Sequence, residues 1–322
     1  MSLLDKATII TTPTAHSEGK LHSIKGGSVA DFDVVRGSAA TRVNAEGLIE
    51  DVATNIPRLD YTDGTASILL EPQSTNLVVN SELNNVENIV VSAAPHTISF
   101  YGTGSITLSG VHSATLSGTG ANDRVSLTFT PSAGTLICTD SGNVDNKQLE
   151  ALPYATSYIP TSGAIATRLG DSVSGAGDAT TFNDTEGVLY FEGSVLANSG
   201  TSRFISISDG STSNRVALLY YSADNRVRAI LSSGGTKFVD SNVTISSVTD
   251  NHKVAIKYKA NDFAMWIDGV KVLTDTTLNA PIGLNNLSFD LGGSSPFYGR
   301  AKSVITFDTA LTDAELECLT TI

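Results

Sequence analysis

The chain has 322 residues, 40% hydrophobic and only 16% charged, with a formal net charge of −13. That length provides for two or three units, each able to bury a core, and the apolar content excludes a disordered chain. The acidic excess argues against capture of nucleic acid or an anionic membrane, which needs clustered Lys and Arg, and no run of about 18 apolar residues is present to span a bilayer.

In chain order, Met1 to Lys6 lacks the basic and apolar regions of an export signal, so export is not expected. Residues 1 to 30, with Gly19, Gly26 and Gly27 among many Ser and Thr, show little periodicity and read as an extended arm that needs a partner to be ordered. Ala30 to Arg36 then alternates apolar and polar residues as a half-buried strand does. Short extended pieces follow at 37–43, 47–52 and 56–61, and Thr62-Asp63-Gly64 is a turn in which glycine takes positive φ. Two further extended runs cover 66–72 and 75–80.

The order Asp31-Phe-Asp-Val-Val-Arg-Gly-Ser-Ala-Ala-Thr-Arg42, Asn44-Ala-Glu-Gly-Leu-Ile49, Asn55-Ile-Pro-Arg-Leu-Asp-Tyr61 and Leu69-Leu-Glu-Pro-Gln-Ser-Thr-Asn-Leu77 resembles the leading segment of tail and other virion structural proteins of tailed bacteriophages. The resemblance covers roughly residues 30 to 80, and the Leu69 to Leu77 run is its most specific part. It implies a virion location, with residues 1–83 docking to other virion proteins or to sister subunits, most simply in a trimer.

Residues 84–152 read as a small β-sandwich, with strands spaced about ten residues apart and Val125, Leu127 and Phe129 alternating onto one face. Residues 153–168 read as an ordered connector. Pro153 and Pro160 remove backbone donors and hold the preceding residue extended, while Tyr154, Tyr158 and Ile159 can anchor the segment. With Gln148 to Pro160 attached, the block resembles the carbohydrate-binding-module-like sandwiches of such virion proteins. It is shorter than those modules, which argues against a sugar cleft within it.

Residues 169–322 carry about nine strands. Asp268-Gly269 marks a type I′ hairpin. Thr312 with Glu315 forms a capping box, stapled by Leu311 and Leu316, that opens a terminal helix. This order resembles the concanavalin A-like lectin and glucanase fold in its laminin-G-like form. The expected class is therefore all-β: an extended N-terminal arm, a small β-sandwich, then a concanavalin A-like jelly roll with a short C-terminal helix.

No catalytic constellation is present. A glycosidase would need two carboxylates on one concave face, at i, i+2 or i+4 along a strand, whereas Glu192 stands alone and Glu315 with Glu317 belongs to the helix. The five histidines show no metal-ligand spacing. No cofactor is expected other than calcium, which the laminin-G-like resemblance implies with Asp209 and Asp290 as candidate ligands. Glycan contact needs an exposed aromatic platform beside polar groups. Two loop edges offer one: Tyr221, Asp224, Asn225 and Arg226, and Phe297, Tyr298 and Arg300. Alternation sends one ring of the Tyr220-Tyr221 pair inward. Trp266 reads as packing, and Cys138 and Cys318 as two buried thiols. The expected function is a tail or fibre structural protein whose lectin-like domain contacts host-surface glycan. The alternatives are a capsid decoration or head-fibre protein without a ligand and a polysaccharide-degrading enzyme.

Overall fold

The computed structural model describes residues 2–221 and 224–321. They are nearly all β, with a short α-helix, Asp313–Thr320, at the C-terminal end. Two sheets face each other across the main core. The larger runs, in spatial order, Ser172–Ser174, Phe32–Val35, Lys20–Ser23, Ala7–Ser17, Gly299–Phe307, Glu186–Val195, His252–Lys259, Phe263–Ile267 and Val270–Asp275. Ser67–Leu70 joins it beside Gly299–Phe307 and carries Leu59–Asp60 in turn. The second sheet runs Thr236–Thr244, Arg226–Ser233, Arg215–Tyr221, Ser202–Ser208 and Asn286–Ser288.

Rings from both sheets interlock between them. Phe191 meets Phe297 edge-on at 5.1 Å between centroids, and Phe32 meets Phe289 at 5.3 Å. Edge-to-face contact sets the electropositive rim of one ring against the electronegative face of the next, which is why this geometry recurs in dry cores.

The N-terminal arm expected from the sequence is not an arm. Ala7–Ser17 pairs antiparallel with Gly299–Phe307, and Ile9, Leu21, Phe32 and Val34 are buried in the main core. Left unpaired, the Gly299–Phe307 edge would bury backbone groups without partners, and the first strand satisfies them. The large sandwich is thus built from both ends of the chain, with Leu59–Asp60 and Ser67–Leu70 returning to it, and the rest of residues 36–171 forms the excursion between those ends.

Within that excursion lies the smaller sandwich. Gly120–Phe129, His96–Gly102 and Asp145–Glu150 make one sheet; Ala114–Ser117, Ser105–Gly110, Gly134–Ser141 and Val86–Val91 make the other. Ile98, Phe100, Ile106, Leu136, Cys138 and Leu149 fill the space between them, with Phe129 in the same cluster and Val125 and Leu127 against it. Along His96–Gly102 the alternate residues Thr97, Ser99 and Tyr101 face away from this core, so the outer face of the three-stranded sheet is polar.

The terminal helix follows its sequence signals. Thr312 caps it, Glu315 closes the box, and Leu311 and Leu316 are buried beneath it together with Trp266, which therefore packs outside the large sheet and not between the sheets. At the hairpin between Phe263–Ile267 and Val270–Asp275, Asp268 and Gly269 take φ of 50° and 81°, the left-handed pair that a type I′ turn requires. Of the two thiols only Cys138 is buried; Cys318 lies on the exposed side of the helix. Burial pushes the Cys138 thiol up to about 12.

Candidate functional site

The connector, Asp171 and the segment from Arg36 to Asn76 meet in a buried ionic joint. Arg36, Arg58 and Arg168 are almost wholly enclosed. Arg58 donates to Glu71 at 2.5 Å and also to Asp171, while Arg168 donates to Glu71 at 2.6 Å and to the Pro72 carbonyl at 2.6 Å. Arg36 donates to Asp171 at 3.2 Å and to the Ala53 carbonyl at 2.6 Å. Ser157 of the connector donates to Glu71 through both its backbone N–H, at 2.7 Å, and its hydroxyl, at 2.6 Å. Burial disfavours the Glu71 carboxylate, yet Arg168 and Arg58 overcome it and hold the group well below the usual carboxylate range. Burial likewise opposes the charge on Arg58, and Asp171 and Glu71 more than offset it, so its pKa rises.

Around these charges the remaining polar residues of the joint are also paired. Asn76 donates to the carbonyls of Lys147 and Ile159 and accepts from the N–H groups of Val78 and Leu149. Ser74 donates to Glu150 at 2.6 Å, and Glu150 also accepts from Thr156. The Tyr158 hydroxyl bonds Ser81 and Glu82, and Thr41 donates to the Tyr158 carbonyl. Thus Leu69 to Leu77, the outer face of the small sandwich and the connector are fastened by side chains that lie far apart in sequence.

Beside the joint, three pieces of chain leave an open groove of about 530 Å³. The hairpin of Ala40–Val43 and Ile49–Val52 contributes Leu48 and Asp51, the small sandwich Tyr101, Asn122 and Asn146, and the connector Tyr158 and Pro160. A second hollow of about 190 Å³ shares Thr41, Ile49, Tyr101 and Tyr158 with it and extends toward Arg42, Arg124 and Arg300. The Arg124 guanidinium lies over the Tyr101 ring, 5.8 Å from its centroid, and burial raises the pKa of the Tyr101 hydroxyl. Tyr101 was not singled out from the sequence, although the alternation of Ile98 and Phe100 inward already sends it outward.

The sequence-predicted ligand residues are not brought together. Phe297 is 1% exposed in the main core and offers no platform, because its ring is enclosed by Phe191, Tyr220 and Phe289. Tyr298 is covered by Arg203, whose guanidinium lies 4.7 Å from its ring centroid. Arg300 borders the second hollow, held 3.5 Å from both Asp60 and Asp63. In the other loop Tyr220 points inward, as alternation requires, and Tyr221 is half-buried with Arg226 5.8 Å away. Arg226 pairs with Asp224, and Asn225 takes φ of 50° while its side chain accepts from the Val248 N–H, which makes it a turn residue. Ser222 and Ala223 lie outside the described residues.

The candidate calcium ligands Asp209 and Asp290 are each bonded within their own turns. Both oxygens of Asp209 accept hydrogen bonds, from Ser211 and from Asn214, and Asp290 accepts from the Gly293 N–H. Burial pushes the Asp290 carboxyl up. Among the described residues no three His, Cys, Asp or Glu side chains converge on one point. Glu192 bonds Tyr190 and Asn251.

No family model matches the sequence, and no curated protein matches it. Among solved structures, the CBM40 of a Ruminococcus gnavus sialidase bound to α2,3-sialyllactose is similar at 18% identity and a TM-score of 0.39, over 45% of this chain and 86% of that one. The binding domain of botulinum neurotoxin DC in complex with rat synaptotagmin II is similar at 14% identity and a TM-score of 0.38, over 47% of this chain and 39% of that one. The NanB sialidase of Streptococcus pneumoniae follows at 12% and 0.37, over 44% and 25%. Each overlap spans less than half of this chain.

Proposed function

We propose that the chain is a structural component of a tailed-phage virion, in the tail or a fibre, that presents a lectin-like sandwich to glycan on the host surface. One observation carries the reading: the segment that bears the resemblance to virion proteins supplies one whole side of the joint. Arg36, Arg58, Glu71, Ser74 and Asn76 all belong to that segment, and all are buried and paired. A segment used to set the angle between two sandwiches suits a part that must stay rigid at the end of a particle. Oligomers of this chain, a trimer foremost, belong to the same proposal.

The test is location. Antibody against the chain should label purified particles at the tail or its fibres. Label on the head would favour the decoration reading, and particles without the chain by mass spectrometry would remove the virion reading altogether.

A further inference from the structure

The joint and the groove beside it differ in one respect that points to a ligand. In the joint nearly every polar side chain has a partner within the protein. Along the groove the side chains of Asp51, Asn122 and Asn146 make no hydrogen bond or ion pair with any described residue, although all three line the same hollow and their backbones belong to strands. Asn146 also holds φ of 50°, next to Lys147, whose ammonium is bonded to Asp140 at 2.5 Å and to Asn85 at 2.8 Å. Non-glycine residues in the left-handed region carry strain that gathers at binding sites.

We infer that this groove binds a neutral, hydroxyl-rich oligosaccharide, with Tyr101 as its aromatic platform and Asp51, Asn122 and Asn146 as the groups that bond its hydroxyls. The inference deepens the glycan-contacting part of the proposed function and rests on that reading. Size is the first argument: about 530 Å³ falls within the roughly 300–1,000 Å³ of small-ligand sites. Chemistry is the second. A half-exposed tyrosine ring gives a flat apolar face for the C–H side of a sugar, and Arg124 backs it. A carboxylate accepts hydroxyl hydrogens, and carboxamides both accept and donate, the set that sugar hydroxyls need.

Charge decides the class of sugar. The cations near the groove are already engaged: Arg42 with Glu50, Arg124 with the Thr156 carbonyl and Ser99, and Arg300 with Asp60 and Asp63. Among the described residues the one unpaired charge on the groove wall is the Asp51 carboxylate, on a chain of net charge −13. A sialylated, sulfated or phosphorylated glycan would be repelled there by Asp51, and the guanidinium groups nearest it already face a carboxylate or a carbonyl. This also reverses the expectation that the shortness of the small sandwich leaves it without a sugar cleft. Its own sheet supplies only one wall; the hairpin and the connector supply the others.

Calorimetric titration of the full chain with neutral trisaccharides of glucose, mannose and galactose, and with 3′-sialyllactose and a heparin tetrasaccharide, tests it. At least one neutral trisaccharide should bind. Affinity should fall about tenfold in Tyr101→Ala and about threefold in Asn122→Ala, whose exposed side chain makes no bond that folding needs. The anionic probes should not bind. Failure of every neutral trisaccharide, affinity unchanged in both variants, or tighter binding of an anionic probe overturns the inference. So does a change of oligomeric state in Tyr101→Ala by sedimentation, which would make the groove a contact between copies. Particle labelling is independent of these results. Labelled particles with a failed titration remove the groove and keep the virion reading, and groove binding with unlabelled particles does the reverse.

Discussion

The large sandwich core and the joint are both buried, and they are held together by opposite chemistry. Between the two large sheets the contacts are rings and aliphatic chains, with Phe191, Tyr220, Phe289 and Phe297 at the centre. In the joint they are Arg36, Arg58, Arg168, Glu71 and Asp171, arranged so that each carboxylate serves two arginines. Dispersion and hydrophobic burial are almost indifferent to direction, so the first interior fixes that two sheets stack. Charge-assisted hydrogen bonds are directional and fail if a partner is absent, so the second fixes the angle at which the pieces meet. An apolar interior accepts swaps of similar volume; an ionic one accepts almost none.

The largest expected effect breaks the ionic side of that comparison. Arg58→Ala leaves part of the charge on Glu71 and Asp171 buried without its partner and should lower stability by about 3–5 kcal/mol. Leu218→Met, equally buried in the main core, should lower it by less than about 1.5 kcal/mol. Arg58→Lys should recover only a small part of that loss, because an ammonium is a compact point charge on a shorter stem and does not present the guanidinium's fixed fork to Glu71 and Asp171 at once. Urea midpoints at constant slope measure all three, and a loss of less than about 1 kcal/mol in Arg58→Ala would mean that the joint relaxes around the missing group.

Next in size is the response to acid. The Glu71 pKa in the folded chain lies well below its ordinary 4.5, so its contribution is complete above that value and is lost as the pH falls toward the folded value. Melting temperature should therefore drop below about pH 4.5 in the native chain. Glu71→Gln, already weaker at neutral pH, should show a shallower drop over the same range. Parallel curves would assign the acid sensitivity to other carboxylates.

How far these features were legible in the sequence follows from the range of the contacts. The helix cap, the Asp268-Gly269 hairpin and the alternation of Val125, Leu127 and Phe129 are set by residues within a few positions of one another, and each was visible. The joint was visible only as a string of residues. Arg36 meets Asp171 across 135 positions and the Glu71 N–H meets Asp171 across 100, distances over which no periodicity carries information. The first strand failed for the same reason, since Ile10 pairs with Ile305. Phe297 was misread as a loop platform because proximity to Gly and Ser residues resembles an exposed edge, whereas burial is decided by the opposite sheet.

A smaller effect belongs to the hydroxyl of Tyr158. Tyr158→Phe keeps the buried ring and removes the bonds to Ser81 and Glu82, and should lower stability by about 1–2 kcal/mol in the denaturant midpoint. A change as large as that of Arg58→Ala would place this hydroxyl inside the ionic network instead of at its margin.

The smallest effect sharpens the comparison from the apolar side. Thr312→Ala removes the side-chain oxygen that accepts from the Glu315 N–H and should weaken the terminal helix by about 1 kcal/mol. That helix covers Trp266, the single tryptophan of the chain, which is 6% exposed beneath Leu316 and packed outside the large sheet. Its fluorescence therefore reports on helix docking and not on the joint. A small red shift in Thr312→Ala at neutral pH, with none in Tyr158→Phe before global unfolding, is expected. Equal shifts in both variants would mean that the large sandwich and the joint open together, and that the two chemistries hold one cooperative unit.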